Sequence, residues 1–219
     1  MTDQASSHQV RRKLFESNGF RREASERLNL DRKMVQQAIE ALVAAGVVPC
    51  LRPDNVEALA MDGAWLLMGI GSRVRPDAIA RVTPRFASMT LQIDGANPRS
   101  VPKAGVSFEE ELAGMFRKMW CEAAMPPVQG VGLHWIDGRG TVLFGTIDRW
   151  ERGGPKHQKV FASEPLQLPQ APGGEWDFVH LLDSFRLPAV GGISISPLPL
   201  LGFIELLAER VEETAASVL

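Results

Sequence analysis

The chain has 219 residues, of which 45% are hydrophobic and 23% are charged, and its formal net charge at pH 7 is −2. This composition is typical of a globular protein and provides enough residues for one compact domain and a smaller one. No apolar run approaches the roughly 20 residues of a membrane span, and residues 1–13 lack the apolar core of a signal peptide. We therefore expect a cytoplasmic protein without a membrane partner.

Charge is distributed unevenly along the chain. Up to Pro53 there are nine Lys and Arg residues and six Asp and Glu residues, so this part carries +3 and the remaining residues carry −5. A basic end on an otherwise acidic protein indicates a surface that faces nucleic acid. We therefore predict a DNA-binding domain over residues 1–53, followed by a dimerisation or partner-binding domain over residues 54–219.

The N-terminal part is predicted to form three helices. Ser7 stands at the N-cap of a first helix that runs through Glu16, and a second helix spans about residues 20–28. Asp31 provides the N-cap of a third helix, and Gly46 stands where that helix would end. The second helix, the short turn after it and the third helix have the order of a helix-turn-helix.

The third predicted helix, residues 31–46, separates apolar and polar side chains onto opposite faces. Four apolar side chains recur at helical spacing and predict a face toward the core: Val35, Ala38, Ile39 and Leu42. The opposite face carries five polar side chains: Arg32, Lys33, Gln36, Gln37 and Glu40. The basic and amide members pair well with guanine and adenine edges in a major groove. We therefore predict that this helix reads double-stranded DNA.

A short motif joins the second and third helices. It reads Leu28-Asn29-Leu30-Asp31, and an apolar triplet on the third helix and Gly46-Val47-Val48 follow it. This pattern resembles the helix-turn-helix of GntR- and MarR-type winged-helix regulators, with Asn29 in place of the turn glycine because asparagine readily adopts left-handed backbone angles. The resemblance implies a recognition helix over residues 31–46. It does not imply a wing, because no alternating hairpin pattern follows residue 48.

Further helices are predicted beyond this motif. One spans about residues 54–70, and another spans residues 76–91 with a break at Thr83-Pro84. Residues 93–105 are rich in turn-forming residues and predict a linker. Ser107 and Glu110 form the capping box of a scaffold helix that ends before Pro126. A helix over residues 176–185 is also predicted.

The periodicity changes from helical to alternating at Val131. Two alternating runs flank a glycine-containing turn at residues 137–140, which predicts a hairpin, and residues 159–163 supply a third antiparallel strand. Ile193-Ser194-Ile195 then leads to Ser196, the N-cap of a C-terminal helix that begins at Pro197. Helices followed by strands and then helices predict an α+β fold with a small antiparallel sheet.

The C-terminal helix has an unusually wide apolar surface. Its main stripe consists of Leu200, Phe203, Ile204, Leu207 and Val211. Such a helix either lies inside the core or is shared with a second subunit. Two-fold symmetry suits helix-turn-helix proteins that bind paired half-sites, so a homodimer through this stripe is the expected partner contact.

Sequence patterns of a catalytic, metal or cofactor site are lacking. Cys50 and Cys121 stand alone, which favours reduced thiols over a zinc site or a disulfide. Gly69-Ile70-Gly71 lacks the third glycine and the preceding strand of a dinucleotide loop, and neither HExxH nor GxSxG occurs. We predict no enzyme activity, no metal and no cofactor. Two His and Asp pairs are interpreted as polar residues of a strand and a helix: His134 with Asp137, and His180 with Asp183.

These features together predict a sequence-specific DNA-binding transcriptional regulator. Its reading residues are those on the polar face of residues 31–46, and three arginines outside that helix are expected to contact phosphates: Arg11, Arg12 and Arg22. Residues 51–60 and 193–207 resemble uncharacterised prophage-encoded proteins of α-proteobacteria, which implies a phage or mobile-element origin. The alternative is a phage or mobile-element protein whose helical domain binds another protein. An enzyme of unrecognised type is the third and least favoured interpretation.

Overall fold

A computed structural model describes residues 18–47, 56–94, 105–121, 129–137, 141–151, 154–164 and 190–216. Six helices lie in these ranges: α1 (Asn18–Leu28), α2 (Arg32–Ala44), α3 (Val56–Gly71), α4 (Pro76–Ala87), α5 (Phe108–Cys121) and α6 (Pro197–Ala216). The strands are β1 (Thr90–Asp94), β2 (Gln129–Asp137), β3 (Thr141–Glu151), β4 (Gly154–Ala162) and β5 (Val190–Ile195). The predicted α+β class is confirmed. The predicted helices before residue 17 and over residues 176–185 lie outside these ranges.

The strands form one antiparallel sheet in the order β1-β4-β3-β2-β5. Asp137 lies opposite Thr141, so the predicted hairpin of β2 and β3 is confirmed, and β4 is the predicted third strand. The two edge strands were not expected from the sequence. β1 begins before the predicted linker and pairs with β4, and β5 pairs with β2 immediately before the C-terminal helix.

The predicted break at Thr83-Pro84 is wrong. α4 continues through Pro84 and ends at Ala87, and Leu91 lies in β1. Pro84 removes one backbone donor, but the Thr83 hydroxyl donates to the Ile79 carbonyl at 2.8 Å and the Ser88 amide donates to the Pro84 carbonyl at 3.1 Å. The Ser88 bond shows that the helical turn continues past Pro84, and burial of the inner face stabilises the helix despite the lost donor.

The apolar core lies between the helices and one face of the sheet. α3 is the most deeply buried helix, and Phe108 of α5 packs on Phe161 of β4 with ring centroids 5.2 Å apart. Buried residues of α1 and α2 belong to the same apolar cluster as those of α3 to α6 and the sheet. The domain boundary at residue 53 stays a prediction, but the described residues on both sides of it share this core.

The apolar stripe of α6 is part of the core of a single chain. Leu200, Phe203, Ile204 and Leu207 have at most 1% of their surface exposed, and the side chain of Val211 lies outside the described part of the chain. These four side chains are therefore not available to a second subunit. Within the described ranges, none of the helices is both long and apolar enough to cross a bilayer.

Replacing Leu207 by glutamate should abolish folding of the chain, because a carboxylate would lie in the apolar core without a partner. Circular dichroism and thermal unfolding should show loss of the cooperative transition. Leu198→Glu is the matched control, since Leu198 is 80% exposed. The free energy of unfolding of this variant should differ from that of the original protein by less than about 0.5 kcal/mol. A folded, monomeric Leu207→Glu protein would show instead that α6 is an interface.

Replacing Gly69 by alanine should destabilise the contact between α3 and α2. A Cβ atom at Gly69 would lie 2.4 Å from Cδ1 of the buried Leu42, and overpacking of this kind costs about 1–3 kcal/mol. Gly19→Ala is the control, because nothing lies within 4 Å of a Cβ atom at Gly19. Urea unfolding should show a lower free energy of unfolding for Gly69→Ala than for the original protein, and no loss for Gly19→Ala. Equal stabilities of the two variants would contradict the described packing.

Candidate nucleic-acid interface

The turn between α1 and α2 is closed by two backbone hydrogen bonds. The Leu30 amide donates to the Ser25 carbonyl at 3.0 Å, and the Asn29 amide donates to the Glu26 carbonyl at 3.2 Å. Asn29 has a φ of 53°, so the bonds and the left-handed residue form a Schellman motif. The left-handed backbone expected of Asn29 is confirmed, and the motif fixes where α1 ends.

Both predicted ends of α2 are confirmed. Oδ1 of Asp31 accepts a hydrogen bond from the Met34 amide at 2.9 Å, which is the N-cap bond of α2. At the other end Gly46 has a φ of 65°, and the Val47 amide donates to the Leu42 carbonyl at 3.1 Å. Local hydrogen bonds thus determine the start and the end of α2.

The inner face of α2 packs as its sequence predicts. Val35, Ala38, Ile39 and Leu42 are 0–1% exposed. The helix contacts α1, α3 and α4. Because its apolar side is enclosed by three helices, its rotation about its own axis is fixed, and the opposite side is the one presented to solvent.

The first turn of α2 presents two cations. Arg32 and Lys33 are exposed and form no ion pair with any other residue in the described ranges. Gln37 lies one turn later and is half-buried. These three predicted reading residues lie in the N-terminal half of the helix, as does Gln36, and both cations are accessible.

The other two predicted reading residues already have partners within the chain. Oε1 of Glu40 accepts hydrogen bonds from Nη1 of Arg21 at 2.7 Å and from Nε2 of Gln36 at 3.0 Å. Arg21 lies on α1 and only 11% of its side chain is exposed, so this ion pair joins α1 to α2. Glu40 therefore has a structural role in the free protein, which explains why an acidic residue lies on this otherwise basic helix face.

Of the three arginines predicted to contact phosphates, Arg22 is the one that lies among the described residues. Arg22 is exposed, and its guanidinium lies 3.8 Å from Glu26 and 3.9 Å from Glu23. Such exposed pairs contribute little free energy, so Arg22 can exchange them for another anion. Arg11 and Arg12 lie outside the described residues. Arg27, on the other side of α1, lies 3.5 Å from both Glu205 and Glu209 of α6.

His134 is the one histidine of the suggestive pairs whose side chain is described. It stacks on Phe144 with ring centroids 5.0 Å apart, and burial lowers the pKa of its imidazole below the ordinary value. A Cβ atom at Gly132 or at Gly192 would lie 2.8 Å from one of its ring nitrogens, so these glycines leave the room that the ring occupies. This is the environment of a packed, neutral histidine. No group of three potential metal ligands occurs among the described residues.

Removing the N-cap of α2 should weaken the whole helix-turn-helix. Asp31→Ala deletes the acceptor for the Met34 amide, and loss of such a cap costs about 0.5–2 kcal/mol. Asp31→Asn keeps an acceptor of the same shape and should retain most of the stability. Urea unfolding of both variants measures the difference, and an Asp31→Ala protein as stable as the original would contradict the N-cap assignment.

Comparison with known proteins gives no relative from which a role could be transferred. No family model, no curated protein sequence and no solved structure matches this chain. The resemblance of residues 28–48 to winged-helix regulators therefore stays an expectation, and the geometry of the chain itself is what bears on its function.

Proposed function

We propose that the chain binds double-stranded DNA through the exposed N-terminal face of α2 and acts as a transcriptional regulator. The observation that carries this proposal is the pair of exposed cations at the start of a helix whose opposite face is completely buried. In helix-turn-helix proteins the N-terminal residues of the second helix contact the base edges. The tight turn at Asn29 and the N-cap at Asp31 provide the rigid framework that such contacts need.

The polar residues divide into three roles under this proposal. Arg32 and Lys33 are free to donate to guanine O6 and N7, and Gln37 offers the amide that pairs with adenine. Gln36 reaches a base only by giving up its 3.0 Å hydrogen bond to Glu40. Glu40 remains paired with Arg21, so its contribution is to orient α2 on α1. Arg22, together with Arg11 and Arg12, provides sequence-independent contacts to phosphates.

The homodimer predicted for half-site recognition stays a prediction. Because Leu200, Phe203, Ile204 and Leu207 are buried in one chain, a dimer would have to use another surface. Two copies would place their reading helices one helical turn of DNA apart, about 34 Å. The DNA-binding proposal itself does not depend on this assembly, since one reading helix already supplies the proposed base contacts.

Selection of bound fragments from random duplex DNA, followed by measurement of Kd on the selected duplex, tests the proposal. Arg32→Ala with Gln37→Ala should weaken binding at least about 30-fold, because removing each base contact costs about 1–3 kcal/mol. Both side chains lie on the solvent side of α2, so the circular dichroism spectrum should not change.

Lys118→Ala is the matched control for this double variant, because it removes one exposed cation from α5. It should bind the selected duplex with nearly the original affinity. Two outcomes oppose the proposal: no selected duplex binds the original protein, or the double variant binds as well as the original. Retention on a partner protein but not on DNA would favour the protein-binding alternative.

A further inference from the structure

The highest density of positive charge among the described helices lies outside the helix-turn-helix. Residues 72–88 contain four arginines and one acidic residue, Asp77, so this segment carries +3. Residues 18–47, which include both α1 and α2, contain five basic and four acidic residues and carry only +1. The turn before α4 and the outer face of α4 therefore form a basic surface, defined by Arg73, Arg75 and Arg81.

The three arginines of this basic surface are accessible. Arg73 and Arg81 are exposed, and 84% of the Arg75 side chain is exposed. Arg75 lies 3.4 Å from Asp77, which is itself 70% exposed. An ion pair this open to water contributes at most about 1 kcal/mol. It is therefore readily exchanged for a phosphate.

The backbone that carries Arg73 is held in place by the sheet. The Ser72 amide donates to the Met68 carbonyl at 3.0 Å, and the Ser72 hydroxyl donates to the Gly69 carbonyl at 2.8 Å. Nε1 of Trp135 on β2 donates to the Ser72 carbonyl at 3.0 Å. Arg73 follows with a φ of 49°. The guanidinium group thus projects from a fixed turn.

The position of α4 beside α2 indicates what this surface would contact. α4 packs directly on α2, and the axes of packed helices lie about 8–10 Å apart. The major groove is about 12 Å wide and admits one helix. Because α4 contacts α2, the turn before α4 and the outer face of α4 belong to the parts of the chain that lie nearest to a duplex engaged by α2.

Two groups of acidic residues lie on helices other than α4. Glu109, Glu110 and Glu111 form the first turn of α5. Glu205 and Glu209 lie on α6 beside Arg27. The turn before α4 and the outer face of α4 carry an excess of positive charge by contrast, which favours contact of this part of the chain with a polyanion.

We propose that Arg73, Arg75 and Arg81 form a second DNA contact that binds the phosphates at the edge of the groove occupied by α2. This inference rests on the proposed function, since it takes α2 as the reading helix. A guanidinium group donates two parallel hydrogen bonds to a phosphate. The surface sets affinity and orientation on the duplex and does not select bases.

The salt dependence of DNA binding tests the proposal with the full chain. The logarithm of the association constant for DNA depends linearly on the logarithm of the salt concentration. The slope of this line falls in magnitude by about 0.9 for each phosphate that the protein no longer neutralises. The variant with Arg73→Gln, Arg75→Gln and Arg81→Gln should therefore show a slope smaller in magnitude by about 2–3 on any duplex. Its preferred DNA sequence, found by selection from random fragments, should not change.

A matched pair of single variants controls for net charge. Arg75→Gln should lower the magnitude of the slope by about 0.9. Lys118→Gln removes the same charge from α5 and should leave the slope unchanged. Each substituted position is exposed, so thermal unfolding should show that these variants are folded. If the triple variant does not fold, the comparison of Arg75→Gln with Lys118→Gln still tests the proposal.

The outcomes separate this inference from the proposed function. If the original protein binds DNA and the triple variant keeps the full slope, the second contact is refuted while the role of α2 stands. A changed sequence preference in the triple variant also refutes it, because the arginines would then contact bases. If the original protein binds no duplex at any salt concentration, the proposed function fails, and the second contact fails with it.

Discussion

Three glycines of α3 let three other parts of the chain approach the axis of this helix. A Cβ atom at Gly63 would lie 2.6 Å from the Phe116 ring of α5, one at Gly69 would lie 2.4 Å from Leu42 of α2, and one at Gly71 would lie 2.3 Å from Leu133 of β2. Real side chains do not make such short contacts, so these neighbours can occupy their positions only because glycine lacks a Cβ atom. The scaffold helix, the proposed reading helix and the sheet are therefore all positioned by one central helix.

The parts of the fold that the sequence predicts correctly have local causes. The N-cap at Asp31, the left-handed Asn29 and the capping box between Ser107 and Glu110 each depend on residues three to five positions apart. The edge strands escaped prediction because β1 is defined by pairing with β4, where Thr90 lies opposite Ala162. Pairing over that sequence distance leaves no periodic signal in a strand of five residues.

The candidate site likewise combines features that follow from local sequence with features that depend on tertiary packing. Exposure of Arg32 and Lys33 follows from helical periodicity, whereas the ion pair between Glu40 and Arg21 joins residues 19 positions apart and needs the packing of α1 on α2. The α6 stripe was ambiguous in the sequence because apolar width is the same for a core helix and a subunit contact. The arginines near α4 had a readable charge signal, but only the packing of α4 on α2 brings them beside the candidate reading helix.

The contact between α1 and α6 links regions far apart in the chain. Arg27 of α1 lies within 3.5 Å of Glu205 and Glu209, and a Cβ atom at Gly202 would lie 3.3 Å from Cδ of the same arginine. α1 therefore gains its full set of neighbours only after residues 197–216 have been synthesised and folded back. In a nascent or truncated chain that lacks this helix, the side of α1 that carries Arg27 has no covering helix. The packing that holds α1, and with it the turn that leads to α2, is thus completed late in biosynthesis.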